Sequence, residues 1–145
     1  MQFNFEKLIT YQKSLNYIDF VYDITEHFPK NEQFSLVDQF RRAAVSISLN
    51  IGEGSSGTKK EFINFLRISN RSLRECVVCT TVSFRRKYIT DEVHEKSRIL
   101  LVEIAKLNSG LSASLKKNIN SPLPSSNNEL PTTNSTPNPI LSTSN

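Results

Sequence analysis

Gln39-Phe40-Arg41-Arg42-Ala43-Ala44-Val45-Ser46-Ile47-Ser48-Leu49-Asn50-Ile51-Gly52-Glu53-Gly54 is the stretch whose reading decides the fold. Placed on a helix at about 100° per residue, it divides into faces. Leu36, Phe40, Ala43, Ala44, Ile47 and Ile51 fall on one side, and Gln39, Arg42, Ser46, Asn50 and Glu53 form a narrow polar stripe beside it. Val45 and Leu49 point away from the main apolar face. Small residues on the apolar face and apolar residues on a second side describe a helix that touches neighbours in more than one direction.

The chain on either side reads the same way. From about Phe5 to Phe28, Leu8, Tyr11, Leu15, Ile18 and Tyr22 recur at three-four spacing, which predicts an amphipathic helix. Phe28-Pro29 ends it, because proline disfavours helical geometry in the residue before it. Ser35, with Asp38 three residues on, is placed to cap the next helix. Gly52, Gly54 and Gly57 mark its end and a turn, and Thr58 with Glu61 matches a capping box that opens a third helix. Phe62, Phe65, Leu66, Ser69, Leu73, Cys76, Val77, Thr80 and Phe84 give that helix a buried face out to about Lys87. After Tyr88-Ile89-Thr90-Asp91, a fourth helix is marked by Val93, Leu100, Ile104, Leu107, Leu111 and Leu115. Four such helices on short connections, with no strand signal, predict an all-α, up-down-up-down antiparallel four-helix bundle over residues 1–119. From Asn120 the composition turns to Ser, Thr, Asn and Pro, with five of the six prolines, and predicts a disordered tail over 120–145.

The 145 residues suffice for one such domain. Lys+Arg total 18 against 14 Asp+Glu, a net charge of +4, which allows a polyanionic partner without requiring one. No apolar run approaches the roughly 20 residues of a membrane span, and Met1-Gln2-Phe3-Asn4-Phe5 does not begin a signal peptide, so a cytoplasmic protein with no membrane partner is expected. The sequons at Asn70 and Asn134 then read as chance matches.

The motifs that could carry chemistry are weak. Gly52-Glu53-Gly54-Ser55-Ser56-Gly57 fits G-x-G-x-x-G, but a helix precedes it where a dinucleotide site needs a strand, and an interhelical turn is the expected reading. Cys76-Val77-Val78-Cys79 has C-x-x-C spacing but sits mid-helix, away from the helix N-terminus that activates a redox thiolate. A zinc site would find only His27 and His94 to add, and both read as surface histidines. No nucleophile, base and orienting group come together, so no catalytic, cofactor-binding or metal residue is assigned and no enzymatic activity is expected. The polar stripe Gln39, Arg42, Ser46, Asn50, Glu53 is expected to form a buried hydrogen-bond network, with Arg42 and Glu53 paired in part through neighbours, that fixes helix register or a subunit contact. A ligand pocket is the rival reading. Val45 and Leu49 also suggest a subunit contact.

Charge distribution is more informative. Lys60, Arg67, Arg71, Arg74 and Arg85 fall within a sector of about 60° opposite the core face of the third helix and span about 37 Å along it. Glu75, four residues after Arg71, is the one acidic neighbour at favourable spacing within that helix. Between Gln39 and Lys87, ten Lys and Arg residues face only Glu53, Glu61 and Glu75. A solvated helix face accounts for such a stripe as readily as a track for nucleic-acid phosphates does. No interleaved aromatic platform accompanies the basic residues in sequence, so contact with RNA or DNA backbone, without base reading, is the expected mode. The candidate contacts are Lys60, Arg67, Arg71, Arg74, Arg85 and Arg86.

The opening stretch resembles the Q-L-R-R-A-A-x-S-I-x-x-N-I-A-E-G signature of the four-helix-bundle proteins encoded in 23S rRNA intervening sequences. Phe28-Pro29, Glu61-Phe62 with Phe65-Leu66, Ser72-Leu73-Arg74-Glu75 and the closing segment from Leu107 to Lys116 extend the resemblance over about Phe5 to Lys117. Gly52 stands where the family usually has alanine, and Ser69-Asn70-Arg71 replaces a common A-x-G. The resemblance implies a bacterial cytoplasmic homo-oligomer, a ring-like homopentamer similar to the accessory variability proteins of diversity-generating retroelements, which bind nucleic acid and a reverse transcriptase. It also implies that Arg41 and Arg42 serve assembly or nucleic-acid contact, and that the family has no established enzymatic activity. Recruitment of a protein partner such as a reverse transcriptase, without direct nucleic-acid binding, is the alternative role.

Overall fold

The computed structural model describes residues 1–120, and every regular element among them is helical. The helices are α1 (Ile9–Thr25), α2 (Leu36–Gly54), α3 (Lys59–Arg85) and α4 (Asp91–Asn120), with short 3-10 turns at Asn4–Lys7 and Lys30–Glu32. Each packs on its neighbours in sequence, and α1 closes against α4. Bonds between helices fix the directions. Helices α1 and α2 meet at Ser14–Ser48 and Thr25–Arg41, α2 and α3 at Gln39–Glu75 and Ser46–Ser72, α3 and α4 at Asn70–Asn108 and Thr80–Ser97, and α1 and α4 at Thr10–Asn108 and Tyr17–Ser97, so every adjacent pair runs antiparallel. This is the expected up-down-up-down bundle. Helix α4 is described as far as Asn120, and residues 121–145 of the predicted tail lie outside the described residues.

The start of α1 differs from expectation. Leu8 is extended, and the 3-10 turn before it lets the Phe5 ring fold back edge-on to Tyr11 at 5.0 Å and against Gly52. A helix continuous from Phe5 would carry that ring away from α2. At the start of α2, Ser35 makes no cap. Its hydroxyl donates to Glu32 Oε2 at 2.7 Å, and the same carboxylate accepts the Leu36 N–H at 3.4 Å. Glu32 thus does what Ser35 was expected to do. The capping box of α3 is present as predicted, with the Glu61 N–H donating to Thr58 Oγ1 and the Thr58 N–H to Glu61 Oε2.

The glycines act by lacking bulk. None has positive φ, and a Cβ on Gly54 would lie 2.5 Å from Phe65 Cβ, so Gly54 permits the close approach of α2 and α3 at their turn. Ser55 and Ser56 hydroxyls donate to the carbonyls of Gly52 and Glu53, finishing α2.

The core contains Tyr17, Val21, Phe40, Ala43, Ala44, Ile47, Ile51, Phe62, Leu66, Leu73, Cys76, Leu101 and Ile104. In α1 the buried line is Thr10, Ser14, Tyr17, Val21 and Thr25, not the more apolar line of Leu8, Tyr11, Leu15, Ile18 and Tyr22. In α4 it is Ser97, Leu101, Ile104 and Asn108, not a line through Leu107 and Leu111. Small polar residues occupy these lines because they pair across the bundle. Thr10 Oγ1 donates to Asn108 Oδ1, the Asn108 amide donates to Ser69 Oγ and Asn70 Oδ1, and Ser69 donates to the Ile47 carbonyl. That chain touches all four helices. A second layer joins Tyr17, Ser97 and Thr80.

Candidate nucleic-acid interface

Why α3 presents its cations outward follows from its buried face. Phe62, Leu66, Ser69, Leu73, Cys76 and Thr80 recur at three-four spacing and turn inward. Lys60, Arg67, Arg71, Arg74 and Arg85 occupy the opposite side, and all are exposed. None of these five forms an ion pair among the described residues. Arg67 is steadied by Asn64, whose Oδ1 accepts from Nη2 at 2.7 Å. Glu75 does not bridge to Arg71; its Oε2 accepts from the Gln39 amide of α2 at 3.3 Å. The stripe therefore keeps its charge. Arg86 caps the C-terminal end of α3 beside Tyr88, whose hydroxyl, with Glu32 further off, raises the guanidinium pKa.

The two arginines that the resemblance offered for assembly or nucleic-acid contact stand on α2, apart from the stripe. Arg41 is turned to α1, its guanidinium 4.4 Å over the Tyr22 ring, with Nε donating to Thr25 Oγ1 at 2.9 Å. It packs across the α1–α2 seam and is not part of the α3 stripe. Arg42 is exposed and bridges Asp38 at 3.6 Å on its own helix, not Glu53. The polar stripe of α2 is not one buried network. Its middle, Ser46 and Asn50, is half-buried and bonded to Ser72 of α3 and to the Ser46 carbonyl. Its ends, Gln39, Arg42 and Glu53, are exposed.

Val45 is half-buried and Leu49 is 63 % exposed. They face the apolar line of α1, of which Tyr11 and Ile18 are half-buried against the core while Leu15 and Tyr22 stay exposed. Phe5, Tyr11, Leu15, Ile18, Val45 and Leu49 line one groove of about 400 Å³, and Tyr22, Arg41 and Arg42 continue it past Val45 and Leu49. A second exposed apolar pair, Ile99 and Val102, lies on α4.

The remaining chemical candidates take structural places. Cys76 and Cys79 are free and buried. Burial pushes both thiols up, Cys79 to about 11, with the Glu75 charge adding to the effect, so neither is a thiolate at neutral pH. His27 is exposed. His94 is not the surface residue expected. It stacks on Phe84 at 4.6 Å, and its buried Nδ1 has no hydrogen-bond partner among the described residues. No cluster of His, Cys, Asp or Glu that could hold a metal occurs among the described residues. No described helix is long and apolar enough to cross a membrane.

Compared with known proteins, residues 6–110 match the family described as 23S rRNA-intervening sequence protein. Among curated proteins none matches. A solved structure from Bacteroides thetaiotaomicron, described as a protein with unknown function from the S23 ribosomal protein family, superposes with a TM-score of 0.65 at 26 % identity, covering 74 % of this chain and 96 % of its own.

Proposed function

The chain belongs to the 23S rRNA-intervening sequence protein family, and from that premise we propose that it is a non-enzymatic, oligomeric accessory protein that binds RNA or DNA backbone through the outer face of α3. One observation carries the reading. Lys60, Arg67, Arg71, Arg74 and Arg85 share an exposed helix face with no carboxylate bridged to any of them among the described residues. Each phosphate that such a face neutralises releases counterions, which makes binding favourable and strongly salt-dependent. The apolar groove of α1 and α2 supports self-association, since exposed Leu15, Tyr22 and Leu49 beside half-buried Val45 form a surface that a second copy would cover. In a cytoplasmic ring of five, the copy number that the family resemblance implies, weak tracks add through avidity.

The purified oligomer, its mass measured, is titrated with RNA and with DNA at low salt. Binding that weakens with salt and is abolished by combined Arg67→Glu, Arg71→Glu and Arg74→Glu supports the reading; no binding, or binding indifferent to that substitution, overturns it.

The second reading is a module that recruits a protein partner. Ile99 and Val102 favour it, exposed on α4 and edged by Glu95, Arg98, Glu103 and Lys106. A partner retained after nuclease treatment and released by Val102→Asp supports this role, and disappearance of every partner with nuclease counts against it.

A further inference from the structure

Phe34 is 90 % exposed in the connection between α1 and α2, outside the core and without a ring partner among the described residues. Its segment is held from both sides. Before it, Glu32 Oε1 accepts from the Tyr88 hydroxyl at 3.0 Å, and after it Gln39 donates to Glu75. Since α2 and α3 are antiparallel, these two bonds tether the segment that carries Phe34 at its two ends, one toward Tyr88 just beyond α3 and one at Glu75. The stretch from Glu75 to Tyr88 contains the break in the basic stripe. After Arg74 the next cations are Arg85 and Arg86, about 16 Å further along the helix. Between them the exposed outward positions are Val78, 61 % exposed, Val82, 38 % exposed, and Thr81, whose hydroxyl is turned back to the Val77 carbonyl. Two exposed valines thus lie between two groups of arginines, and the exposed Phe34 belongs to a segment tethered at Glu75 and Tyr88.

The carboxylates at this place are already engaged, Glu75 by Gln39 and Glu32 by Tyr88, Ser35 and the Leu36 N–H. A polyanion along the stripe would meet cations, then an apolar stretch, then cations. A duplex keeps the faces of its bases stacked away from such a ring, whereas an unpaired strand can turn a base onto it.

We infer that Phe34 is a stacking platform for an unpaired base, with Arg71 and Arg74 on one side and Arg85 and Arg86 on the other holding the flanking phosphates, so that the ligand is single-stranded RNA or DNA. This rests on the nucleic-acid reading above and narrows it from any backbone to an unpaired one.

The chain contains no tryptophan, so Phe34→Trp places a single reporter at the platform. Titrated with a single-stranded oligonucleotide, its fluorescence is expected to be quenched in a saturable way, while a duplex and an abasic strand of equal length leave it unquenched. Phe34→Ala is expected to weaken single-strand binding by about 5- to 150-fold, the range for removing one base–aromatic stack, with duplex binding and oligomer mass unchanged. Equal loss for single strand and duplex, no loss for either, or a changed oligomer mass, which would make Phe34 a contact between subunits, overturns the inference. The α3 triple charge reversal separates the two proposals: if it abolishes binding that Phe34→Ala leaves intact, the platform fails and the track stands; if the unaltered protein binds neither ligand, both fail.

Discussion

At Gly54 the absence of a single carbon sets how closely α2 and α3 meet. Gly54→Ala would press a methyl against the Cβ of Phe65 and the ring of Phe62, and overpacking of that kind costs about 1–3 kcal/mol. The urea midpoint is expected to fall accordingly; an unchanged midpoint would mean that the turn opens freely. Lys87 presents the opposite case. It has a φ of 63° where the Tyr88 N–H bonds the Ser83 carbonyl and the Lys87 N–H bonds that of Phe84, a helix ending that favours glycine. Lys87→Gly is expected to raise stability by about 1 kcal/mol in the same assay, and a loss would show that the lysine side chain is needed. The Thr58–Glu61 cap was legible in the sequence because it depends on two residues three apart. The cap of α2 was not, because Glu32 reaches it from a 3-10 turn that no periodicity marks.

For whole helices, apolar periodicity located all four, and on α1 and α4 it found residues that pack on the core, among them Leu8, Tyr11, Ile18, Leu100, Leu111 and the buried Ile104, but it missed the small polar residues at the centre of both lines. In α1 the apolar line of Leu15 and Tyr22 is left partly exposed, and Thr10, Ser14 and Tyr17 go inside because partners on α2 and α4 satisfy their hydroxyls. Such pairing depends on residues some 34 to 98 positions apart, which single-sequence spacing does not reveal. Asn108→Leu removes the hub between Thr10, Ser69 and Asn70 and is expected to cost about 1–3 kcal/mol for each buried group left unpaired. Adding Thr10→Val should recover part of that loss; no recovery would mean that the two residues do not act as a pair. The buried acids of the core also set a pH dependence. Burial raises the Tyr17 hydroxyl and both thiols, Cys79 from 9.0 to about 11. The unfolded chain therefore loses these protons before the native bundle does. Stability is expected to be level to about pH 8 and to fall from about pH 9 upward, and a denaturation midpoint that rises over that span would contradict it.

Seen as one molecule, the bundle has two unlike surfaces, the apolar groove of α1 and α2 and the basic face of α3. The basic residues of α3 were legible because one helix carries them. The groove was only half legible, since Val45 and Leu49 stood out but the α1 side of the groove read as core. Nor could spacing single out Phe34, because the bonds of Glu32 to Tyr88 and of Gln39 to Glu75 that tether its segment join residues 36 to 56 positions apart. Leu49→Asp is expected to lower the oligomer mass measured by light scattering while leaving helicity intact; an unchanged mass would remove the groove from assembly. Nucleic-acid binding by the α3 face is tested most directly by the slope of log affinity against log salt for the intact oligomer and for Arg71→Gln. A steep negative slope is expected, made shallower in the variant by about 0.7–0.9 for each phosphate no longer neutralised, at an unchanged oligomer mass. A slope near zero, or one identical in the two proteins, would contradict binding through this face.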